Sequence, residues 1–260
     1  MAKTTIFFLL LVNLIWSATL YLEPTHTTIF NYLYNISYGL SFGIAGIISF
    51  LYIKKYPLNI FIWRTVILST CFFFMAQLIW VYYNTVLQSE VPFPSLADIF
   101  WILFYITNIG MTLSIFKSLK IGYSYRNLLE IIFIFGILFT ISNSFVAINT
   151  DFSESSQIVN ILNVMYPLFD SLLVAFFLII IRSSEGRFKP ALLFFTTAFF
   201  AFTIGDSLFT YQTSLNTYWN GNFVDAIFAI SGYFYSIGIF SLPQILNTTN
   251  ASQTLTTQDI

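Results

Sequence analysis

Long apolar runs recur along the whole chain and limit its fold more than any other feature. Each run is long enough for an α-helix to cross a hydrocarbon core of about 30 Å, which needs about 18 or more residues. Because 57% of the residues are apolar and only 8% are charged, the chain lacks the polar surface that a soluble domain of this size requires. The sequence therefore predicts an all-α, polytopic helical bundle, a multi-pass protein of the cell membrane.

Eight membrane spans can be placed on these runs. Their predicted bounds are Thr5 to Tyr21, Ile29 to Ile53, Ile60 to Val86, Leu96 to Phe116, Leu128 to Ile148, Ile158 to Ile181, Pro190 to Tyr211 and Phe223 to Leu246. All 10 Lys and Arg residues lie at the N-terminus or beside the second, fourth and sixth connections. The other connections carry only acidic charges, at Glu23, Glu90, Asp151 and Glu154. Since basic residues favour the cytoplasmic side, we expect both chain ends to lie inside.

The first span has an alternative interpretation as a secretory signal peptide. Lys3 precedes an apolar stretch, and Ser17 and Ala18 are small residues of the kind found at cleavage sites. Its removal would leave seven spans and an outer N-terminus. Trp16 and Tyr21 instead suit a retained helix with an interfacial anchor, and the internal repeat also needs this span.

An internal repeat appears when the chain is shifted on itself by about 128 residues. Three pairs of segments then match, Asn35 to Leu40 with Asn163 to Leu168, Gln77 to Trp80 with Asp206 to Phe209, and Asp98 with Asp225. The match predicts two parallel four-helix repeats, about 1–122 and 123–246, related by an axis along the membrane normal. A polar tail over 247–260 is predicted to be disordered. Duplication for packing alone and a functional cleft between the halves are both open.

Two spans begin with matching helix-capping patterns. Ser95 is a good N-cap, and Asp98 three residues later occupies the capping-box position beside the positive end of the helix dipole. Asn222 and Asp225 stand in the same relation at the eighth span. We interpret all four as capping residues near the outer interface.

Asp170 and Asp206 are the acids that are hardest to accommodate in a membrane. Asp170 lies about 18 Å into its span, where a charged carboxylate is costly unless it is paired, protonated or hydrated. No basic residue lies at this depth. We predict an outward-facing ligand-binding cleft in which these acids are joined by Gln77, Trp80, Tyr83, Asn163 and Tyr166. The alternative is a hydrogen-bonded network that only ties helices together.

The remaining residues argue against several classes of function. The sequence contains one histidine, His26, and one cysteine, Cys71, so it offers no metal set, no intrachain disulfide and no nucleophile with a histidine base. We expect no enzyme activity and no metal site, and these residues identify no cofactor. A net charge of −1 without a basic patch argues against nucleic acid as a partner.

Several motifs together resemble a known membrane module. "PFPSLADIFWILFYI", "MYPLFDSLLVAFFLIIIR", "GDSLFTY" and "GNFVDAIFAISGYF" lie between Ile29 and Leu242. This pattern resembles the multi-helix N-terminal membrane sensor module of bacterial and archaeal signalling proteins, often fused to diguanylate cyclase (GGDEF), phosphodiesterase (EAL), PAS or histidine kinase domains. Only a short polar stretch follows Leu246, so we expect no output domain in the chain.

The resemblance implies a sensor that binds a small ligand or ion and relays a signal to a cytoplasmic signalling protein. A small-solute transporter or channel is the first alternative. A structural or assembly subunit without a ligand is the second. In all three cases the lipid bilayer is a partner of the protein.

Overall fold

The protein is an all-α, multi-pass membrane bundle. The computed structural model describes residues 2–23, 25–55, 60–89, 91–122, 124–149, 156–184 and 189–256, with the backbone alone for 146–149 and 244–256. Its helices are α1 (Ala2–Leu20), α2 (Ile29–Lys55), α3 (Ile60–Thr85), α4 (Leu96–Ser118), α5 (Tyr125–Asn149), α6 (Gln157–Ser183), α7 (Lys189–Ser214) and α8 (Phe223–Thr256). All 8 are long and apolar enough to cross a membrane.

The helices follow the predicted spans closely, except at the C-terminus. Bounds agree within about three residues, which is the usual uncertainty of helix ends. Helix α8, however, continues to Thr256, through much of the segment that the sequence predicted to be a disordered tail. Once a helix has begun, each added residue forms a hydrogen bond without a new nucleation cost, and this favours continuation of α8. Residues 257–260 lie outside the described part.

Helix packing joins the two halves of the chain in two places. Helix α8 packs against α1 and α2, and α4 packs against α6. A twofold axis would exchange the α2–α8 contact with the α6–α4 contact. The flanking helices do not follow such an axis, because α1 packs on α8 of the other half whereas α5 packs on α7 of its own half. The two-repeat organisation stays a prediction.

Helix α1 is part of the bundle. Its Asn13 and Ser17 are buried although they are polar. Ser37 donates a hydrogen bond to Asn13 Oδ1 over 2.6 Å, and Ser17 donates to the carbonyl oxygen of Gly221 over 2.9 Å. Helix α1 is therefore bound to both α2 and the α7–α8 connection.

The two ends of the bundle differ in charge. At the basic end, where the odd-numbered helices begin, Lys3 donates to Ser241 Oγ over 3.1 Å and Arg182 pairs with Glu130. At the cap end, where the even-numbered helices begin, Asp98 and Asp225 lie in the first turns of α4 and α8. Four of the charged residues that were used to predict the orientation in the membrane lie outside the described part. They are Glu90, Asp151, Glu154 and Arg187.

Aromatic side chains fill the space between the halves. The rings of Phe42 and Phe73 stack with centroids 3.8 Å apart, and Phe104, Phe202 and Tyr235 surround them. Tyr235 donates a hydrogen bond to Asn108 Oδ1 over 2.7 Å, which satisfies its hydroxyl inside the core. The centre of the bundle is thus packed with side chains from α2, α3, α4, α7 and α8.

Candidate functional site

Asp98 is a buried carboxylate with a full set of donors. Ser95 is the N-cap of α4 and donates to Asp98 Oδ2 from its backbone N–H over 2.6 Å and from its hydroxyl over 2.9 Å. Tyr166 of α6 donates to Asp98 Oδ1 over 2.6 Å. Both oxygens of Asp98 therefore accept hydrogen bonds, beside the positive end of the α4 dipole.

Asp225 has a similar set of donors at the start of α8. Asn222 caps the helix, and its Oδ1 accepts from the N–H of Val224 over 2.8 Å. Asp225 Oδ2 accepts from the N–H of Gly221 over 2.6 Å, one residue further back than the bond seen at α4. Tyr218 donates to the same carboxylate at 3.0 and 3.2 Å. Both oxygens of the Asp225 carboxyl group therefore accept hydrogen bonds.

The connection before α8 keeps Tyr218 protonated. Burial raises the pKa of Tyr218 well above its usual range, and the charge of Asp225 raises that pKa further. The hydroxyl therefore remains a hydrogen-bond donor to Asp225.

Asp170 and Asp206 meet at one tyrosine hydroxyl. The Tyr105 oxygen lies 2.8 Å from Asp170 Oδ1 and 2.9 Å from Asp206 Oδ2. We call these three side chains the acid–tyrosine triad. Tyr105 comes from α4, Asp170 from α6 and Asp206 from α7. Asp170 and Tyr105 are buried, whereas Asp206 is partly exposed. The triad thus joins both halves of the chain and retains some access through Asp206.

The triad has too few donor hydrogens to form both contacts if both acids are ionised. A tyrosine hydroxyl has one hydrogen, so Tyr105 can donate to one aspartate only. The second short contact needs a hydrogen on the other carboxyl group, which then donates to the tyrosine oxygen. Among the described residues, Asp170 Oδ2 has no hydrogen-bond partner. One shared proton accounts for both contacts.

No positive side chain neutralises the triad within the described ranges. The two ion pairs found there lie at the basic end, where Arg126 and Arg182 both contact Glu130. The described part also contains no group of three or more histidine, cysteine or acidic residues that could hold a metal ion. A proton is the simplest counter-charge, because two adjacent carboxylates in a dry interior cannot both stay ionised.

The predicted binding residues fall into separate groups. Tyr166 binds Asp98, and its ring lies 6.1 Å from that of Tyr105, beside the triad. Trp80 donates to Asn220 Oδ1 over 2.7 Å, in a different cluster. Gln77 is buried against Gly39, where an added Cβ would lie 3.1 Å from Gln77 Cγ. The triad is therefore smaller than the predicted site.

Asn163 and Tyr83 are half-buried. No described hydrogen bond links either side chain to Asp170 or Asp206. Neither residue joins the triad, and a binding role for them stays a prediction.

The sequence interpretation missed two residues, Tyr105 and Asn220. Tyr105 is the one hydroxyl in the run from Phe100 to Ile106, and this was a usable signal in an otherwise apolar segment. Asn220 accepts from Asn35 over 2.7 Å and from Trp80, and so fixes the α7–α8 connection on α2 and α3. Its position before Gly221 marks a turn, but no local pattern indicates which helices it contacts.

The triad lines neither of two cavities that open on the described part of the bundle. One of about 440 Å³ lies at the cap end between α2 and α3 and is lined by Thr27, Ile29, Tyr32, Asn84, Thr85, Gln88 and Ser89. The other, of about 300 Å³, lies between α5, α6 and α7. Neither of these cavities therefore opens onto the triad.

No protein-family model matches the chain, and neither a curated protein nor a solved structure matches it. The functional interpretation therefore depends on the residues and their geometry.

Proposed function

We propose that this membrane protein is a sensor-like module whose ligand is a proton shared by Asp170 and Asp206. Its output is a change in the packing of α4 against α6 and α7, passed to a cytoplasmic partner. The observation that carries the proposal is the contact of the single Tyr105 hydroxyl with both carboxyl groups, at 2.8 and 2.9 Å. A proton shared by the two carboxyl groups accounts for both contacts, and no described ion pair involves either acid.

Loss of the shared proton changes the forces inside the triad. With the proton bound, one neutral and one charged carboxyl group attract each other through Tyr105. Without it, two negative charges lie close together in a medium of low dielectric constant, where their repulsion is strong. Separation of α6 and α7 from α4, or entry of water through the partly exposed Asp206, relieves that repulsion.

Two tyrosines connect the triad to the α4–α6 contact. Tyr105 reaches from α4 to Asp170 of α6, and Tyr166 reaches from α6 to Asp98 of α4. Pro167 lies inside α6 three residues before Asp170 and lacks the N–H that would complete the helix ladder. Such a position permits bending, so α6 can respond to the charge at Asp170.

Helix α4 provides a route from the triad to the predicted cytoplasmic side. It runs from the cap Ser95 through Tyr105 to Lys117 in its last turn at the basic end. A rigid helix transmits a tilt at its middle to both ends. A cytoplasmic signalling protein bound at the basic end would then detect the state of the triad.

The experiment measures helix separation as a function of pH. After Cys71→Ser, spin labels at Ser118 of α4 and Ser183 of α6 report the distance between the basic ends of these helices in lipid nanodiscs. We expect the wild-type distance to change between a protonated and a deprotonated state. Asp170→Asn and Asp206→Asn are expected to hold one distance at every pH, while the matched variant Asp225→Asn, at the start of α8, retains the change.

Two outcomes would contradict the proposal. A pH-dependent distance that persists in both Asp170→Asn and Asp206→Asn would remove the triad from the mechanism. Proton flux into protein-containing liposomes that depends on Asp170 would favour the transporter alternative. The aromatic packing around Phe42 and Phe73, which fills the space between the halves, argues against such a pathway.

A further inference from the structure

A compact basic cluster lies at the basic end of α5 and α6. Arg126 donates to Glu130 over 2.9 Å, and Arg182 also pairs with Glu130 while its second nitrogen donates to Asn127. The Arg126 side chain is 80% exposed and that of Arg182 is 40% exposed. Two guanidinium groups against one carboxylate leave this surface with a net positive charge, open to an anion.

The second cavity, between α5, α6 and α7, is an apolar groove. Its volume is about 300 Å³, and its walls are formed by α5, α6 and α7 through residues that include Ile134, Leu138, Val174, Leu178, Thr196 and Phe200. Thr196 donates its hydroxyl to the carbonyl oxygen of Leu192 over 3.0 Å. Thr196 is the one polar residue among those that line the groove, and its hydroxyl already has a partner within its own helix. An apolar chain in the groove would therefore leave no lining hydroxyl without a partner.

The cluster and the groove lie on the same helix faces. Ile134 follows Glu130 by four residues, and Leu178 precedes Arg182 by four residues. Side chains four positions apart lie one turn from each other on one face of a helix, about 6 Å along its axis. The charged cluster therefore lies about one helical turn from the groove residues Ile134 and Leu178.

We propose that this surface binds an anionic phospholipid from the leaflet that faces the basic end. The phosphate lies between Arg126 and Arg182, and one acyl chain lies in the groove. A planar guanidinium binds phosphate oxygens in pairs, and Glu130 holds both guanidinium groups in place for that contact. A phospholipid carries its polar headgroup next to its apolar acyl chains. The basic cluster and the apolar groove are adjacent in the same way, so one lipid molecule can contact both.

Charge complementarity selects an anionic lipid over a zwitterionic one. The basic end carries the described Lys and Arg residues, among them Lys189 at the start of α7, the third helix that lines the groove. An anionic headgroup near basic side chains at a membrane surface is favoured by each of these charges. A zwitterionic headgroup brings its own positive charge and loses this preference.

The test is native mass spectrometry of the full chain with equal amounts of phosphatidylglycerol and phosphatidylcholine. We expect the wild type to retain phosphatidylglycerol preferentially. Arg126→Gln with Arg182→Gln is expected to lower that retention about tenfold or more, since each surface charge contributes about fivefold. The control, Lys54→Gln with Lys55→Gln, removes two charges from the end of α2, away from the groove, and is expected to keep the preference.

Three results would overturn the proposal. Equal retention of the two lipids would show that charge does not select the ligand. Equal losses in the arginine and lysine double variants would show a general attraction rather than a site. Displacement of the lipid by the same concentration of glycerol phosphate would show that the groove does not hold the acyl chain.

Discussion

Aspartates lie both at the cap end and in the middle of the bundle, but the hydrogen-bond donors that reach them differ. At the cap end, Asp98 and Asp225 each accept hydrogen bonds from a backbone N–H and a tyrosine hydroxyl. In the middle, Asp170 and Asp206 share the single hydroxyl of Tyr105. Burial of an acid is therefore a poor guide to function here. The number of donor hydrogens available to each carboxylate separates the two regions.

The position along the helix explains the difference. The first N–H groups of a helix have no partner within the helix, so an acid at N3 finds donors and a favourable dipole. In mid-helix the backbone N–H groups are already used, and an acid must find its partners on other helices. Asp98 illustrates the first case and Asp170 the second. A carboxylate in the second case needs a proton or a cation when side-chain donors are too few.

The largest expected effect in this comparison is at the α4 cap. Asp98→Ala removes the acceptor of Ser95 and Tyr166 and leaves the buried tyrosine hydroxyl without a partner. We expect the free energy of unfolding in detergent to fall by about 2–4 kcal/mol, from the lost cap and the unsatisfied hydroxyl together. Thermal unfolding followed by tryptophan fluorescence measures this change. A loss below about 0.5 kcal/mol, as at ordinary surface positions, would show that the cap is not structural.

The α8 cap depends on one glycine. Gly221 has a φ of 92°, and an added Cβ would lie 2.2 Å from Leu20 Cδ1. We expect Gly221→Ala to destabilise the protein by about 2–3 kcal/mol, through the backbone conformation and the clash together. Gly110→Ala is the matched control, because its Cβ would meet Thr65 at an ordinary 3.6 Å. Equal effects of the two substitutions in the same unfolding assay would contradict this role of Gly221.

A smaller effect is expected at the tyrosine of the triad. Tyr105→Phe removes the shared hydroxyl but allows the protonated carboxyl group to donate directly to its neighbour. We expect a loss of about 1–2 kcal/mol, close to that of one buried hydrogen bond. The matched variant Tyr166→Phe removes the donor to Asp98 Oδ1 and should cost at least as much. If Tyr105→Phe were the more damaging by a wide margin, the two acids would need the hydroxyl to coexist.

The smallest effect on stability is expected at the acid pair itself. Asp170→Asn supplies an amide hydrogen in place of the shared proton, so we expect a change within about 1 kcal/mol at neutral pH. In the wild type, the stability that the shared proton provides is present while it is bound and is lost as the pH rises and removes it. Asp170→Asn should flatten this alkaline decline.

The cap variant Asp98→Asn is the matched control, because Asp98 lies outside the triad. Asp98→Asn should leave the alkaline decline unchanged. Unfolding measured over a pH series checks both variants. A flattened alkaline arm in Asp98→Asn would contradict the assignment.

Local patterns in the sequence predicted the helices and the caps well. Hydropathy placed all eight spans because a membrane helix must be continuously apolar, and Ser95 with Asp98 was readable from its spacing. The sequence did not predict the extension of α8 to Thr256, because the polar composition of that segment favours disorder.

The triad was only partly readable from sequence. Asp170 and Asp206 stood out by the cost of burying them, but their link through Tyr105 depends on how α4 packs against α6 and α7. The repeat gave no guidance, because Phe42 occupies the position about 128 residues before Asp170 and belongs to the aromatic core. Tyr166 was assigned to the same predicted cleft as Asp170, yet it binds Asp98.

The shared proton can be observed directly by infrared spectroscopy. A protonated carboxyl group has a C=O stretching band that is distinct from the bands of a carboxylate, so the two regions can be compared in one sample at neutral pH. We expect the wild type to show this band, and Asp170→Asn and Asp206→Asn to lose it while Asp98→Asn and Asp225→Asn keep it. Absence of the band from the wild type, or its loss in a cap variant alone, would contradict a proton held between Asp170 and Asp206.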